Sequence, residues 1–320
     1  MGFSREVLDS VLTRVVVGLK FLRMFQCRGS TELLAAVAQC RDLELFVIDG
    51  YEFGHEHTTP YGQSQAPFSK LRSFGINSII PLTGSAVFSV LGAITSPSLV
   101  ELQLQFQGRE PGLVEAVSTL VADKWAGSLM KISFRFDITN PEDDVFGGIQ
   151  PLLRCSRLEY LFLATGTRLN FLDGTYHALS LAWPNLSALS IRSEPENTPI
   201  AWVPPATWHT LQILSQNCPK LRHICIPVNF DAFCSQPGEK PQVPSTSVRT
   251  LDAAVSICSH PHSTAERLRK LFPALTALCY KDACLKEVRE LLGLPVQCGN
   301  INEQEIHGVR VTFPFCEAAE

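Results

Sequence analysis

A short phrase recurs along this chain: apolar, two free positions, apolar, one free position, apolar. It reads Leu99-Val-Glu-Leu102-Gln-Leu104, then Leu129-Met-Lys-Ile132-Ser-Phe134, Leu158-Glu-Tyr-Leu161-Phe-Leu163, Leu186-Ser-Ala-Leu189-Ser-Ile191 and Leu221-Arg-His-Ile224-Cys-Ile226. Weaker copies flank these: Leu43/Phe46/Ile48, Leu71/Phe74/Ile76, Val248/Leu251/Ala253 and Leu275/Leu278/Tyr280. Their first positions are separated by 28, 28, 30, 29, 28, 35, 27 and 27 residues. A period near 28 marks an internal repeat, one supersecondary unit per period. Such units bury their apolar faces against each other, so a chain of 320 residues need not divide into separate compact cores.

Alternation within each phrase is the period of a half-buried strand. Helical spacing occupies the intervals, as in Val87/Leu91/Ile94, Leu113/Val114/Val117/Val121, Leu211/Leu214, Ala265 to Phe272 and Val288 to Leu292. Strand, helix and strand in the same sense predict a parallel sheet with helices on one side. Proline stands two residues before the first strand leucine in Pro97-Ser-Leu99, Pro184-Asn-Leu186, Pro219-Lys-Leu221 and Pro273-Ala-Leu275. It ends the helix and favours extended backbone before it. Cys40, Cys155 and Cys218 each lie three residues before a strand leucine, with Trp183 and Phe272 in that place elsewhere. All five read as filler where the helix end meets the strand.

The balance of 27 basic and 31 acidic residues leaves no electrostatic footprint for nucleic acid. No apolar run is long enough for a transmembrane helix, and the first residues carry no apolar signal-peptide core. Glu6 occupies the position where a myristoylation signal needs Ser or Thr. The eleven cysteines include no C-x-x-C pair, so the thiols are expected to be reduced, placing the chain in cytosol or nucleus. The sequon Asn185-Leu-Ser187 is then unused.

The phrase resembles the leucine-rich repeat, and Cys-Pro-x-Leu-x-x-Leu-x-Leu is similar to its cysteine-containing subclass. That subclass is typical of F-box proteins, the substrate receptors of cullin-RING ubiquitin ligases; Trp-Pro-Asn-Leu and Cys-Pro-Lys-Leu resemble the large fungal families among them. The resemblance covers residues 40 to 295. It implies an α/β leucine-rich-repeat solenoid, a horseshoe with a parallel concave sheet and outer helices in nine or ten irregular units. It also implies a protein partner as substrate and a cullin-RING adaptor as a second partner. Residues 1–40 lack the Leu-Pro-x-Glu-like opening of an F-box and read as a cap. Leu12 to Val17 serve there as a degenerate first strand, with a helix from Thr31 to Cys40. The chain is therefore read as a truncated member or a paralogue without the box. Residues 41–295 form the repeats and 296–320 a C-terminal cap or tail.

The phrases fix which positions point away from the helices. The first outward row is Leu45, Ser73, Glu101, Lys131, Tyr160, Ala188, His223, Thr250 and Ala277. The second is Val47, Gly75, Gln103, Ser133, Phe162, Ser190, Cys225, Asp252 and Cys279; the third is Asp49, Asn77, Gln105, Arg135, Ala164, Arg192, Pro227, Ala254 and Lys281. Strands lie about 4.8 Å apart, so Lys131, Arg135, Tyr160, Phe162 and Arg192 fall in one region, with Gln103, Gln105 and His223 beside it. Aromatics next to arginine have the composition of a binding hot spot. The alternative is that Tyr160 and Phe162 pack against neighbouring strand residues or lie under a loop. Two long connections, residues 50–67 and 193–208, adjoin the sheet. Trp202 in the second is either a contact residue or the anchor of its own loop.

Signals for chemistry are sparse. His55-Glu56-His57 and Cys258-Ser-His260-Pro-His262 lack zinc-site spacing. Ser128-Leu-Met-Lys131 matches the S-x-x-K nucleophile phrase but has no companion motif. No metal, cofactor or catalytic residue is therefore assigned. The sequence reads as a recognition module binding a partner through its concave face. The other readings are a stand-alone scaffold with no ligase link and, more remotely, an enzyme on this scaffold, which a pocket of convergent polar groups would mark.

Overall fold

The computed structural model describes residues 18–25, 37–38, 40–51, 68–78, 82–108, 110–137, 145–166, 169–193, 202–232, 243–253, 256–280, 283–295, 303–306 and 309–312. Ten strands form one sheet: β1 (Phe21–Phe25), β2 (Leu45–Tyr51), β3 (Ser73–Ser78), β4 (Glu101–Gln107), β5 (Lys131–Asp137), β6 (Tyr160–Thr165), β7 (Ala188–Ser193), β8 (His223–Cys225), β9 (Thr250–Asp252) and β10 (Ala277–Cys279). Every pairing is parallel and every strand lies between its predecessor and successor in sequence. The described helices are α1 (Gly84–Ala93), α2 (Leu113–Trp125), α3 (Val145–Ile149), α4 (Asp173–Ala182), α5 (Trp208–Asn217), α6 (Pro261–Leu271) and α7 (Ala283–Leu292), with a 3-10 turn at Gln150–Arg154. None of them is long and apolar enough to cross a membrane. A separate antiparallel pair, β11 (Glu303–Ile306) and β12 (Val309–Thr312), follows.

Sequence position and strand order coincide because each unit closes on the one before it. The phrase residues are the interior of the stack: in the five strong copies none exceeds 2% exposure. They share a single apolar core with Val87, Leu91, Val117, Val121, Leu211 and Leu268 from the helices. The helices thus cover one face of the sheet, and the outward rows occupy the other, here called the open face. In the last copy Leu275 and Tyr280 are only half-buried, as expected where no further strand of the sheet follows among the described residues.

The tenth strand differs in place from the sequence expectation. Phe21 is the residue in register with Leu45, so the extra unit is carried by Phe21–Phe25. Residues 12–17 lie outside the described residues, as does most of the helix expected over 31–40, of which Val37 and Ala38 are helical.

A repeated hydrogen bond sets the register. The carbonyl of Met130 accepts from both Glu159 N (2.8 Å) and Tyr160 N (3.0 Å), and the carbonyl of Glu159 accepts from Ser187 N (2.7 Å) and Ala188 N (3.2 Å). The same forked arrangement links Lys20 to Glu44/Leu45 at one end and Arg249 to Thr276/Ala277 at the other. It persists across the 35-residue interval, where Ser187 O accepts from Arg222 N (2.8 Å) and His223 N (3.2 Å).

The corners where helix meets strand are tied in the same direction. Trp125 Nε1 donates to Ser96 O (2.7 Å), Trp183 Nε1 to Leu152 O (3.3 Å), and the Cys218 thiol to Trp183 O (3.6 Å). Cys40, Cys155 and Cys218 are at most 2% exposed, which matches their reading as packing residues. Burial pushes their thiols up to about 11, about 11 and about 12. Asp173 at the start of α4 fastens the longest interval. Its carboxylate accepts from Thr207 N (2.8 Å), Thr207 Oγ1 (2.7 Å) and Thr210 Oγ1 (2.5 Å) at the start of α5.

Leu161 sits between Ile132 and Leu189 in this register with none of its surface exposed. Leu161→Asp should cost on the order of 4 kcal/mol, because a carboxylate there has no polar partner. Loss of the cooperative thermal transition, followed by circular dichroism, is the expected result. A melting curve like that of the parent chain would refute the register.

Candidate recognition surface

The strand pairing brings the outward rows together in the order read from the sequence. Glu101, Lys131, Tyr160, Ala188 and His223 are successive register partners, as are Gln103, Ser133, Phe162, Ser190, Cys225 and Asp252. In the third row Gln105 pairs with Arg135, Arg135 with Ala164 and Ala164 with Arg192. The candidate residues therefore do share one face. Their exposure divides that face into different parts.

The expectation of an exposed aromatic patch is corrected. Tyr160 and Phe162 retain 6% and 5% of their surface. They form an apolar cluster with Ala164 and Ala188, separate from the main core. Tyr160 is in register with Ala188, and Phe162 with Ser190, small partners that leave room beside each ring. Burial holds the Tyr160 hydroxyl above its ordinary range, with Arg192 opposing the shift. The rings thus pack against adjacent strand residues, the alternative considered above.

Arg192 belongs to a polar cluster spanning β7 to β9. Its guanidinium donates to Cys225 Sγ (3.2 Å) and to Asp252 Oδ2 (3.1 Å), and the Cys225 thiol donates to the same carboxylate oxygen (3.3 Å). The ion pair is largely withdrawn from solvent, with side-chain exposures of 16% for Arg192 and 10% for Asp252. Burial raises the Cys225 thiol, Asp252 raises it further, and Arg192 opposes both. The sulfur thus bridges the two charges, accepting from the guanidinium and donating to the carboxylate. Asp252 and Cys225 stand in the outward rows, yet nothing in the sequence marked them as partners of Arg192. The contact runs between strands that are not adjacent, which a one-dimensional register cannot reveal.

A second polar group covers β3 and β4. Glu101, 7% exposed, accepts from Ser73 Oγ (3.3 Å) and Gln103 Nε2 (3.2 Å), and Asn77 Nδ2 reaches Gln103 Oε1 (3.5 Å). Gly75 lies between β2 and β4; a Cβ there would meet Gln103 Oε1 and Val47 at 3.3 Å. The missing side chain lets the Gln103 amide lie across the sheet.

Between these groups stand Lys131 and Arg135 on β5, both half-buried. Among the described residues no hydrogen bond or ion pair engages either cation. Gln105, beside Arg135, is also half-buried. His223 is half-buried, and its imidazole is held below its ordinary value by burial first and by Arg222 second. Trp202 is half-buried in the connection before α5. His55, Glu56 and His57 lie outside the described residues, and no group of His, Cys, Asp or Glu among the described ones is placed to hold a metal ion. Ser128 of the S-x-x-K phrase sits at a helix–strand corner, donating to Trp125 O (3.4 Å). No protein-family model matches the chain, and no curated protein matches it.

Arg192→Ala should cost about 2 kcal/mol, since it leaves Asp252 buried without its cation. In a double-mutant cycle with Asp252→Ala, measured by urea unfolding, the two losses should fall short of additivity; strict additivity would show that the pair is not coupled. The lowered His223 pKa predicts that its contribution to stability is full above its unfolded value and falls as pH drops through the folded one. Wild-type melting temperature should therefore decline more steeply than that of His223→Gln between about pH 7 and about pH 5. Parallel profiles would remove His223 as a source of the acid sensitivity.

Proposed function

We propose that this chain is a leucine-rich-repeat solenoid that recognises a partner protein across the open, concave face of its sheet. The observation that carries the reading is the contrast between the cations of that face. Arg192 is neutralised by Asp252, whereas Lys131 and Arg135 have no such partner among the described residues. Half-burying each of these cations without an ion pair costs solvation that nothing on the face repays, although Glu101 lies in register with Lys131; a docking protein that supplies carboxylates relieves that cost. Gln103 and Gln105 on the neighbouring strand add amide groups for the polar rim of such a contact. Tyr160 and Phe162 act here as a packed floor that holds β5 and β7 in place.

The similarity of the Cys-Pro-x-Leu phrases to those of F-box proteins supports a role as substrate receptor of a cullin-RING ubiquitin ligase, in cytosol or nucleus where thiols remain reduced. A free-standing recognition module uses the same face without the adaptor.

Affinity capture of the tagged chain from its own cell extract, followed by mass spectrometry, tests both levels. A partner retained by the parent chain should be lost from the Lys131→Gln/Arg135→Gln double variant, with the melting temperature changed by less than about 2 °C. Undiminished capture by that variant would overturn the assignment of the face. Cullin and its adaptor among the captured proteins support the ligase role, and their consistent absence beside a retained partner overturns it.

A further inference from the structure

Two cysteines that take no part in the open face meet at the far end of the stack. Cys258 lies in the connection before α6, immediately after Ile257, whose backbone bridges to Asn229. Cys284 is the second residue of α7. Their sulfurs are 3.2 Å apart, with the Cys284 thiol directed at Cys258 Sγ. That is about 1 Å beyond the covalent S–S length of about 2 Å. The two differ in access: Cys258 is 7% exposed and packs its thiol toward Thr264 Oγ1 (3.5 Å), whereas Cys284 is half-buried. The corner cysteines are different, since Cys218 directs its thiol to the carbonyls of Ser180 and Trp183.

We infer that Cys258 and Cys284 form a dithiol site that a low-molecular-weight disulfide such as glutathione disulfide oxidises to a covalent bridge between the α6 connection and α7. The more accessible Cys284 reacts first. Its thiolate attacks one sulfur of the small disulfide, that S–S bond breaks, and one glutathione thiolate leaves. Its place in the first turn of α7, at the positive end of the helix dipole, favours negative charge at this sulfur. The Cys258 thiolate then attacks the Cys284 sulfur of the mixed disulfide and expels the second glutathione. The protein gives up two protons and two electrons, and one glutathione disulfide becomes two thiols.

The bridge encloses β10, the strand with the least support in the sheet. Among the described residues β10 pairs with β9 alone, through three residue pairs, and its flanking Leu275 and Tyr280 are half-buried. Closing this loop restricts the opened terminal unit more than the folded one, so oxidation holds the end of the stack shut. The site is independent of the Lys131 and Arg135 face.

The full chain is equilibrated with excess glutathione disulfide, digested without reduction and mapped by mass spectrometry. The expected result is a dominant peptide pair joining Cys258 to Cys284, with amide exchange at Ala277, Leu278 and Cys279 slowed about tenfold or more relative to the reduced chain. Cys258→Ser should stop at a stable glutathione adduct on Cys284. Cys284→Ser should leave Cys258 unmodified, a readout that stands even where the other variant folds poorly. A persistent glutathione adduct on Cys284 in the parent chain, or bridges joining Cys284 to some other cysteine, would overturn the inference.

Discussion

The sheet hangs from one hydrogen-bonding habit: a carbonyl just ahead of each strand from β1 to β9 accepts two successive backbone N–H groups from the next unit. A single carbonyl has two lone pairs, so this fork satisfies two buried donors at the point where the chain turns from corner to strand. It also fixes the stagger of neighbouring strands, because one carbonyl cannot meet both donors in any shifted register. At Glu159 and Arg249 a side-chain hydroxyl joins the fork, from Ser187 Oγ (2.8 Å) and Thr276 Oγ1 (3.1 Å). The units between forks can then vary in length. The interval between Leu186 and Leu221 carries a long connection, yet Ala188 still meets His223.

The corners complete this scaffold by a different chemistry. A helix arriving from the outer layer leaves unpaired carbonyls at its end, and bulky or polarizable groups from the next unit cover them. Trp125 and Trp183 donate indole N–H groups there, while Cys218 uses its thiol. Lys124 adds its ammonium group to Leu91 O at 2.7 Å, and burial lowers its pKa. Units of unequal composition are thus joined by equivalent bonds, which is why residues as different as Trp and Cys occupy one structural position. Stability is distributed accordingly: interior units are held on both sides, and the last strand on one.

On the open face, electrostatics decides which polar side chains are already paired. The sheet draws Arg192, Cys225 and Asp252 into one mutually satisfied cluster, and Glu101 into another with Ser73 and Gln103. The aromatic rings of β6 fill the space between, over small neighbours on β7. Lys131 and Arg135 on β5 stand between the two clusters, beside the second and across β6 from the first, and join neither. In the proposed recognition role, a partner would meet charge placed beside a packed floor, to which the aromatic residues contribute rigidity.

By itself the sequence determined the sheet, its parallel sense, and from β2 to β10 the register and the outward rows, of which Ala254 and Lys281 lie outside the described residues. A period near 28 residues with a fixed apolar phrase admits only one pleat alternation, and Pro97, Pro184, Pro219 and Pro273 mark where helices must end. Even the packing role of Cys40, Cys155 and Cys218 was legible, because tryptophan and phenylalanine share their position. What only the tertiary structure decided is the state of each outward side chain. That Tyr160 and Phe162 lie down beside Ala188 and Ser190, that Arg192 reaches past β8 to Asp252, and that Cys258 meets Cys284 all depend on distances between strands and helices far apart in sequence. The place of the first strand, Phe21–Phe25, belongs with them, since the apolar pattern before residue 40 is too weak to fix one register. Local periodicity encodes the direction in which a side chain points; burial and pairing come from neighbours the next turns of the stack bring in.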